Sequence, residues 1–462
     1  MRKLWTCLAL LAFVLVMAGC KVVVTPDDPQ SWGFLNEGAN GNGYFVNGPG
    51  DPPAGRGSAV LAIDGNGREA IASLQYAGTM LNTLSQLRYS TYQAFSGSPN
   101  ETLYLGFDVD YDSTDSSTAY QGRLVYVPQM AGTVTPKTWQ EWDTLTGGAA
   151  WYSTGSGASS FRPIVGDAPQ ASPPCTQTTF CTWSTVLGHY PNARIRPTTG
   201  VLLIRAGGPV TGGFVGATDN LVLQIGSVLV ENDFEPGDGH VAVTAANAAG
   251  RGFGFVTETN NGTGSFVSGP SGKDGAGSAK LTIDSTGAVA LANGLFAGTS
   301  LDDFTFLSYK TYTQNASTHA TTLQLDVDYD STDATTAFQG RAVFEPSVSG
   351  QAAIAADTWQ TWNPLTAPSG WWQTGNAIVA GGNVGQACTQ AVPCSFAQLL
   401  AAYPNASVRP VTGQSQGQPI GGGMYLKAGS GWSGGYTGNV DSLTVAVNIG
   451  GTNGTVTYDL EP

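Results

Sequence analysis

Eight aspartates and six tryptophans carry most of the chemistry this sequence could support. Asp-Val-Asp-Tyr-Asp-Ser-Thr-Asp occurs twice without change, at 108–115 and 326–333. In a strand, successive side chains face opposite sides. Leu103, Leu105, Phe107, Val109 and Tyr111 then share one face, and Asp108, Asp110 and Asp112 the other, with Asp115 in the following turn. The second run sets Leu323, Leu325, Val327 and Tyr329 against Asp326, Asp328 and Asp330, with Asp333 after them. Carboxylates spaced roughly 7 Å apart along one strand repel and need a counter-charge. Protein cations are the preferred source, because the next strand brings Arg123, or Arg341, back towards the ladder. A structural calcium ion, which takes several oxygen ligands, is the alternative. An EF-hand loop is excluded, since Ser113 stands at its glycine position and Ala119 at its twelfth. Glycosidases employ paired carboxylates, but here every acid recurs in both runs, which suits architecture better than catalysis.

The tryptophans recur in the same way. Trp139, Trp142 and Trp151 match Trp359, Trp362 and Trp371. In Thr-Trp-Gln-x-Trp the two indoles stand three apart, against strict strand alternation, which predicts a loop or turn crossing a sheet. Exposed there, these six rings form a platform for the apolar faces of sugars, and they are the candidate ligand residues. Buried, they plug the end of the fold with their N–H groups on carbonyls, the preferred reading of the two. The three histidines, His189, His240 and His319, show no Ser–His–acid or metal-ligand spacing.

Cys175 with Cys181, and Cys388 with Cys394, form two Cys-x5-Cys pairs. In an oxidising compartment they are predicted to close two short disulfides, each contributing about 2 kcal/mol. Metal ligation would need more Cys or His beside them, and only His189 is near one pair. The N-terminus points to such a compartment. Arg2 and Lys3 precede an apolar run from Leu4 to Met17 that ends in small residues, the pattern of a signal peptide over residues 1–19. The run is short for a membrane-spanning helix. Met17-Ala18-Gly19-Cys20 resembles the bacterial lipobox, with Met17 where Leu is commoner. That resemblance implies a lipid on Cys20, which becomes the first mature residue, and an anchored protein of the cell envelope. Lys21 follows, so the Asp of inner-membrane retention is absent and the outer membrane or cell surface is expected. Residues 20–32, with Pro26, Asp27, Asp28 and Pro29, read as the lipidated cysteine and its tether.

These residues are held by a duplication. Gly57-Ser-Ala recurs at 277–279, Gln121-Gly122-Arg123 at 339–341, Tyr190-Pro-Asn-Ala at 403–406, and Asp233-Phe-Glu-Pro as Asp459-Leu-Glu-Pro. Offsets drift only from 213 to 226, so two domains are predicted, 33–236 and 251–462, joined by a Gly- and Ala-rich linker at 237–250. Short alternating segments such as 60–64, 103–111, 123–127 and 201–205 read as strands between Gly, Pro, Asn, Asp and Ser clusters. The one clear helix runs from Ser395 to Tyr403, with Ser395 as N-cap and Pro404 as its stop. The fold class is all-β: two tandem jelly-roll-like β-sandwiches, each with at most one short helix. The 63 glycines among 462 residues then serve turns and bulges.

Gly48-Pro49, the Asp runs, Gln121-Gly122-Arg123, Thr138 to Trp142, Tyr190 to Ala193 and Asp-Phe-Glu-Pro together resemble an uncharacterised domain of bacterial secreted and surface proteins. The resemblance covers nearly all of each copy, and its fold is similar to lectin and carbohydrate-binding-module jelly rolls. It brings no activity with it. A formal charge of −14, falling to −16 once Arg2 and Lys3 are removed, excludes a nucleic-acid partner. The function expected is non-catalytic binding of a glycan or surface polymer, with calcium as the one candidate cofactor. A structural or adhesive envelope protein without a small ligand is the alternative, and a glycan hydrolase or lyase comes third.

Overall fold

The computed structural model describes residues 19–462 except 39, 99, 115–119, 155–173, 208, 209, 211, 260, 272, 273, 315–317, 334–337, 380, 381, 411–422, 430, 431 and 433. Residues 1–18 of the signal segment and Asp115 therefore lie outside the described residues. Alternation of apolar and polar residues builds four seven-stranded sheets, paired into two sandwiches. In the first unit a long-strand sheet orders Cys20–Val24, Val228–Phe234, Phe214–Ile225, Gly57–Ile63 and Gly41–Asn47. Leu84–Ser96 pairs with Phe214–Ile225 and carries Trp139–Asp143 on its other side. The facing short-strand sheet orders Trp151–Ser153, Arg123–Tyr126, Tyr104–Asp110, Leu202–Gly207, Arg68–Ser73 and Trp32–Asn36. Leu61, Ile63, Leu105, Phe107, Leu202, Ile204 and Leu223 fill the space between them.

The second unit repeats both orders. Its long-strand sheet runs Gly239–Val243, Thr452–Leu460, Tyr436–Ile449, Ser278–Ile283 and Gly262–Val267, with Phe304–Thr313 and Trp359–Trp362 alongside. Its short-strand sheet runs Trp371–Gln373, Arg341–Phe344, Thr322–Asp328, Met424–Gly429, Ala288–Asn293 and Phe253–Thr259. The all-β class follows from this strand content. Among the described residues helix is confined to Phe396–Ala402, its counterpart Trp183–His189, and single turns such as Pro128–Ala131, one turn more than expected for the first unit. Ser395 caps the first of these with Gln398 in a reciprocal capping box. No helix among the described residues is long and apolar enough to cross a membrane.

Two segments differ from expectation. The supposed tether begins as a strand: Cys20–Val24 pairs in parallel with Val230 to Phe234 at a sheet edge. The supposed linker does the same, Gly239–Val243 pairing in parallel with Val456 to Leu460. The reason is local. Val24 in one and Val241 and Val243 in the other are buried at alternate positions, while polar and glycine residues around them hide that short period in the composition.

The sandwiches are docked. The outer face of the first long-strand sheet carries Tyr44, Val60, Ala62, Val215 and Ala217, which join the apolar core of the second unit. Register places Ser265, Lys280, Thr282, Thr437 and Asn439 at the same points of the second sheet. One copy thus needs a cover and the other does not. At the contact Asn47 N–H donates to the Leu295 carbonyl at 2.9 Å and Thr299 Oγ1 to the Asn47 carbonyl at 3.1 Å. Gly298 sits at φ +81°, and a Cβ there would fall 2.4 Å from Pro49, so both backbone shape and space require glycine.

Candidate functional site

Each short-strand sheet presents an open groove on its outer face, about 710 Å³ in the first unit and 770 Å³ in the second. Inward residues such as Leu105, Phe107 and Trp151 leave Gly106, Asp108 and Tyr152 pointing outward. Cross-strand register sets Tyr152, Val125, Gly106, Leu203 and Ala72 in one row. The corresponding row of the second unit is Trp372, Val343, Gln324, Tyr425 and Ala292.

Beside each row lies a set of two acids and two cations. Glu37 receives Arg123 at 2.5 Å and Arg205 at 3.2 Å, and Arg123 also binds Asp108 at 2.7 Å. In the second groove Glu258 receives Arg341 at 2.5 Å and contacts Lys427, while Arg341 binds Asp326 at 2.7 Å. The Arg341 guanidinium lies 4.0 Å over the Tyr425 ring, and Tyr425 O–H donates to Asp326 at 2.8 Å. Each set cancels to zero charge. Burial pushes the Glu37 carboxyl up, but the Arg123 hydrogen bond and the charges of Arg123 and Arg205 outweigh it and hold it below the usual range. Glu258 is likewise held low, burial being outweighed by Arg341 and Lys427. Aromatic rings stand at the rim: Tyr120 is 54% exposed and Phe338, its counterpart, 58%. Tyr152 packs edge-on against Phe180 at 5.8 Å.

The disulfides support one wall of each groove. Cys175 pairs with Cys181 and Cys388 with Cys394, both with Cα atoms 5.5 Å apart. Trp151 N–H donates to the Cys181 carbonyl at 3.0 Å and Ser153 N–H to the Cys175 carbonyl at 2.9 Å, which brackets Tyr152. Trp371 and Gln373 donate to Cys394 and Cys388 at 3.0 Å and bracket Trp372.

The tryptophans singled out in the sequence lie elsewhere. Trp151, Trp362 and Trp371 are fully buried and Trp142 nearly so. Their indole N–H groups donate to the Thr144 carbonyl, Thr311 Oγ1, the Pro364 carbonyl and Thr91 Oγ1. These four offer no open ring face. The Thr-Trp-Gln-x-Trp segments are strands rather than loops, and a spacing of three puts Trp139 and Trp359 on the face opposite Trp142 and Trp362. Trp139 and Trp359 remain half-buried, outside the grooves. The groove residues Tyr152 and Trp372 are the immediate neighbours of Trp151 and Trp371; the one-residue alternation of a strand separates core from site.

The aspartate ladder is placed in protein contacts. Asp108 and Asp326 meet Arg123 and Arg341, Asp110 meets Arg194 at 2.8 Å, and Asp328 meets Lys137 at 3.0 Å. Asp112 and Asp330 each accept from the hydroxyl two residues on, Thr114 and Thr332. Asp333 offers its carbonyl to Lys137 at 2.8 Å. Among the described residues no three His, Cys, Asp or Glu side chains converge as a metal-ligand set.

No protein-family model matches the chain, and no curated protein sequence matches it. Solved structures similar to it include the N-terminal CBM22-1-CBM22-2 tandem domain from Paenibacillus barcinonensis Xyn10C, 9% identical over 90% of this chain and 93% of that one, TM-score 0.22. Another, from work on promiscuous carbohydrate-binding modules of the β-sandwich superfamily, is 10% identical over 88% and 98%, TM-score 0.24. The family 11 carbohydrate-binding module from Clostridium thermocellum, in complex with a β-1,3-1,4-mixed-linked tetrasaccharide, is 12% identical over 43% of this chain and 90% of that one, TM-score 0.21.

Proposed function

We propose that this chain is a non-catalytic glycan-binding protein of the cell envelope, lipid-anchored through Cys20, and that its two grooves take an uncharged polysaccharide. The observation that carries the reading is the recurrence, at matched register, of an open polar groove with an internally neutral four-residue ion set and aromatic rings at its edge. A four-residue set that cancels its own charge offers hydrogen bonds without favouring an ionic ligand, beside further lining charges from Arg68 and Glu101 in the first groove and Glu345 in the second. Tyr152 and Trp372 supply flat apolar surface beside it. A general acid for glycoside hydrolysis needs a raised carboxyl, whereas Glu37 and Glu258 are held low by their cations, which supports binding rather than cleavage. Two grooves on one chain raise avidity for a repeating polymer. The test is a glycan array probed with residues 20–462: binding to neutral polysaccharides, lost when Tyr152 and Trp372 are both changed to Ala, supports the reading, and a silent array refutes it. For the anchor, Cys20→Ser should move the protein from the membrane fraction to the soluble one.

A further inference from the structure

The junction between the sandwiches holds a cavity distinct from both grooves. It measures about 420 Å³ and is lined by Tyr92, Lys137 and Trp139 of the first unit and Ser300, Asp328 and Ser407 of the second. It is as open as the grooves, and neither sandwich alone would line it. Trp139 is fixed there: its indole N–H donates to the Pro49 carbonyl at 2.8 Å, and its ring lies 5.6 Å from that of Tyr92. Lys137 is fixed as well, between Asp328 Oδ2 at 3.0 Å and the Asp333 carbonyl at 2.8 Å. With Asp51 also at the wall, the charged groups sum to one negative charge. The nearby Asp303 carboxyl is pushed up to about 6, by burial and then by the charge of Asp51. Anions are therefore disfavoured. Serine hydroxyls and an immobilised aromatic pair remain, in a volume within the range of small-ligand sites.

We infer that this cavity is a third binding site, for a single uncharged sugar ring, created by the docking of the two units and independent of the grooves. The second unit has the equivalent tryptophan, Trp359, but Asp357 stands where the first has Lys137, so the lysine of this site is not repeated there.

The test uses saturation-transfer NMR on residues 20–462 carrying Tyr152→Ala and Trp372→Ala, so that groove binding is weakened in both units. The probes are glucose, galactose, mannose and N-acetylglucosamine, with glucuronate as the anionic comparison. Transfer to at least one neutral sugar, at least tenfold weaker binding after Trp139→Ala, and the same loss after Thr138→Trp are expected. Thr138 is exposed at the rim, so the larger ring fills the cavity without removing a core contact, even where Trp139→Ala fails to fold. No transfer to any of the four sugars, transfer that survives Thr138→Trp, or equal binding of glucuronate overturns the inference. Because both groove rings are removed throughout and Thr138 lies outside both grooves, loss of transfer on Thr138→Trp reads this site alone and is separate from failure of the glycan array.

Discussion

Lys137 of the first sandwich places its ammonium 3.0 Å from Asp328 of the second, doing there what Arg194 does for Asp110 within the first at 2.8 Å. Register explains the exchange. Arg194 lies opposite Asp110, but Ser407 lies opposite Asp328, so the second ladder lacks its own cation at that step. A buried carboxylate without a partner is costly, and the neighbouring unit provides one. Lys137→Met is expected to destabilise the second unit by about 3 kcal/mol in denaturant unfolding. Ser407→Arg in the same chain should recover much of that loss, because it restores the first unit's arrangement. Equal stability of Lys137→Met and the parent would show that the pair contributes nothing.

The duplication, the strand ladders, the Ser395 helix cap and the cysteine pairs were legible because each leaves a local signature: an identical run, a period of two, a cap residue or a short spacing. The grooves were not. Tyr152 and Trp372 carry no mark that separates them from Trp151 and Trp371 until the inward face of that three-residue strand is known. The four-residue sets are assembled from Glu37 or Glu258 on one segment and cations on two distant strands, a convergence that spacing does not encode. Docking was half visible. Tyr44, Val60 and Ala62 give the first copy two apolar faces where Ser265, Lys280 and Thr282 give the second copy one, a contrast that only alignment by register brings out.

Groove binding should depend on the wall rings and hardly on charge. Tyr152→Ala and Trp372→Ala are each expected to weaken polysaccharide binding about tenfold, by roughly 1–2 kcal/mol of lost ring contact, in affinity electrophoresis. Glu37 and Glu258 are held below the usual carboxylate range by their cations, so neither takes up a proton between pH 5 and pH 8. Affinity measured across that interval, or between 50 and 500 mM salt, should therefore stay flat. A steep salt dependence would point to a charged ligand instead.

Glu69 gives the first unit a pH-dependent weakness with no counterpart at the matching position of the second. It is buried inside the sandwich, with Oε2 unpartnered, where register puts Val289 in the second unit. Burial, and then the charge of Glu37, pushes its carboxyl from 4.5 up to about 7. The folded state therefore holds a proton that the unfolded chain has released, so stability is greatest below pH 4.5 and declines as pH rises through 7. Glu69→Val should raise stability on the order of 2 kcal/mol at pH 8 and change it little at pH 4.5. Calorimetry at the two pH values checks this, and an equal gain at both would assign the effect to packing instead.

The disulfides should matter to binding as well as to stability. Each closes a short loop, for which chain entropy gives about 2 kcal/mol. Each loop also receives two backbone N–H groups from the strand that carries a groove ring, Trp151 and Ser153 around Tyr152, Trp371 and Gln373 around Trp372. Releasing the loop frees an edge strand three residues long, so the ring loses its fixed position. Cys175→Ser with Cys181→Ser, and the matching pair Cys388→Ser with Cys394→Ser, are each expected to lower the melting temperature by several degrees. Each should weaken polysaccharide binding severalfold at a temperature where the protein is still folded. A drop in melting temperature without a change in affinity would confine the disulfides to stability and leave the groove wall held by its strand pairing alone.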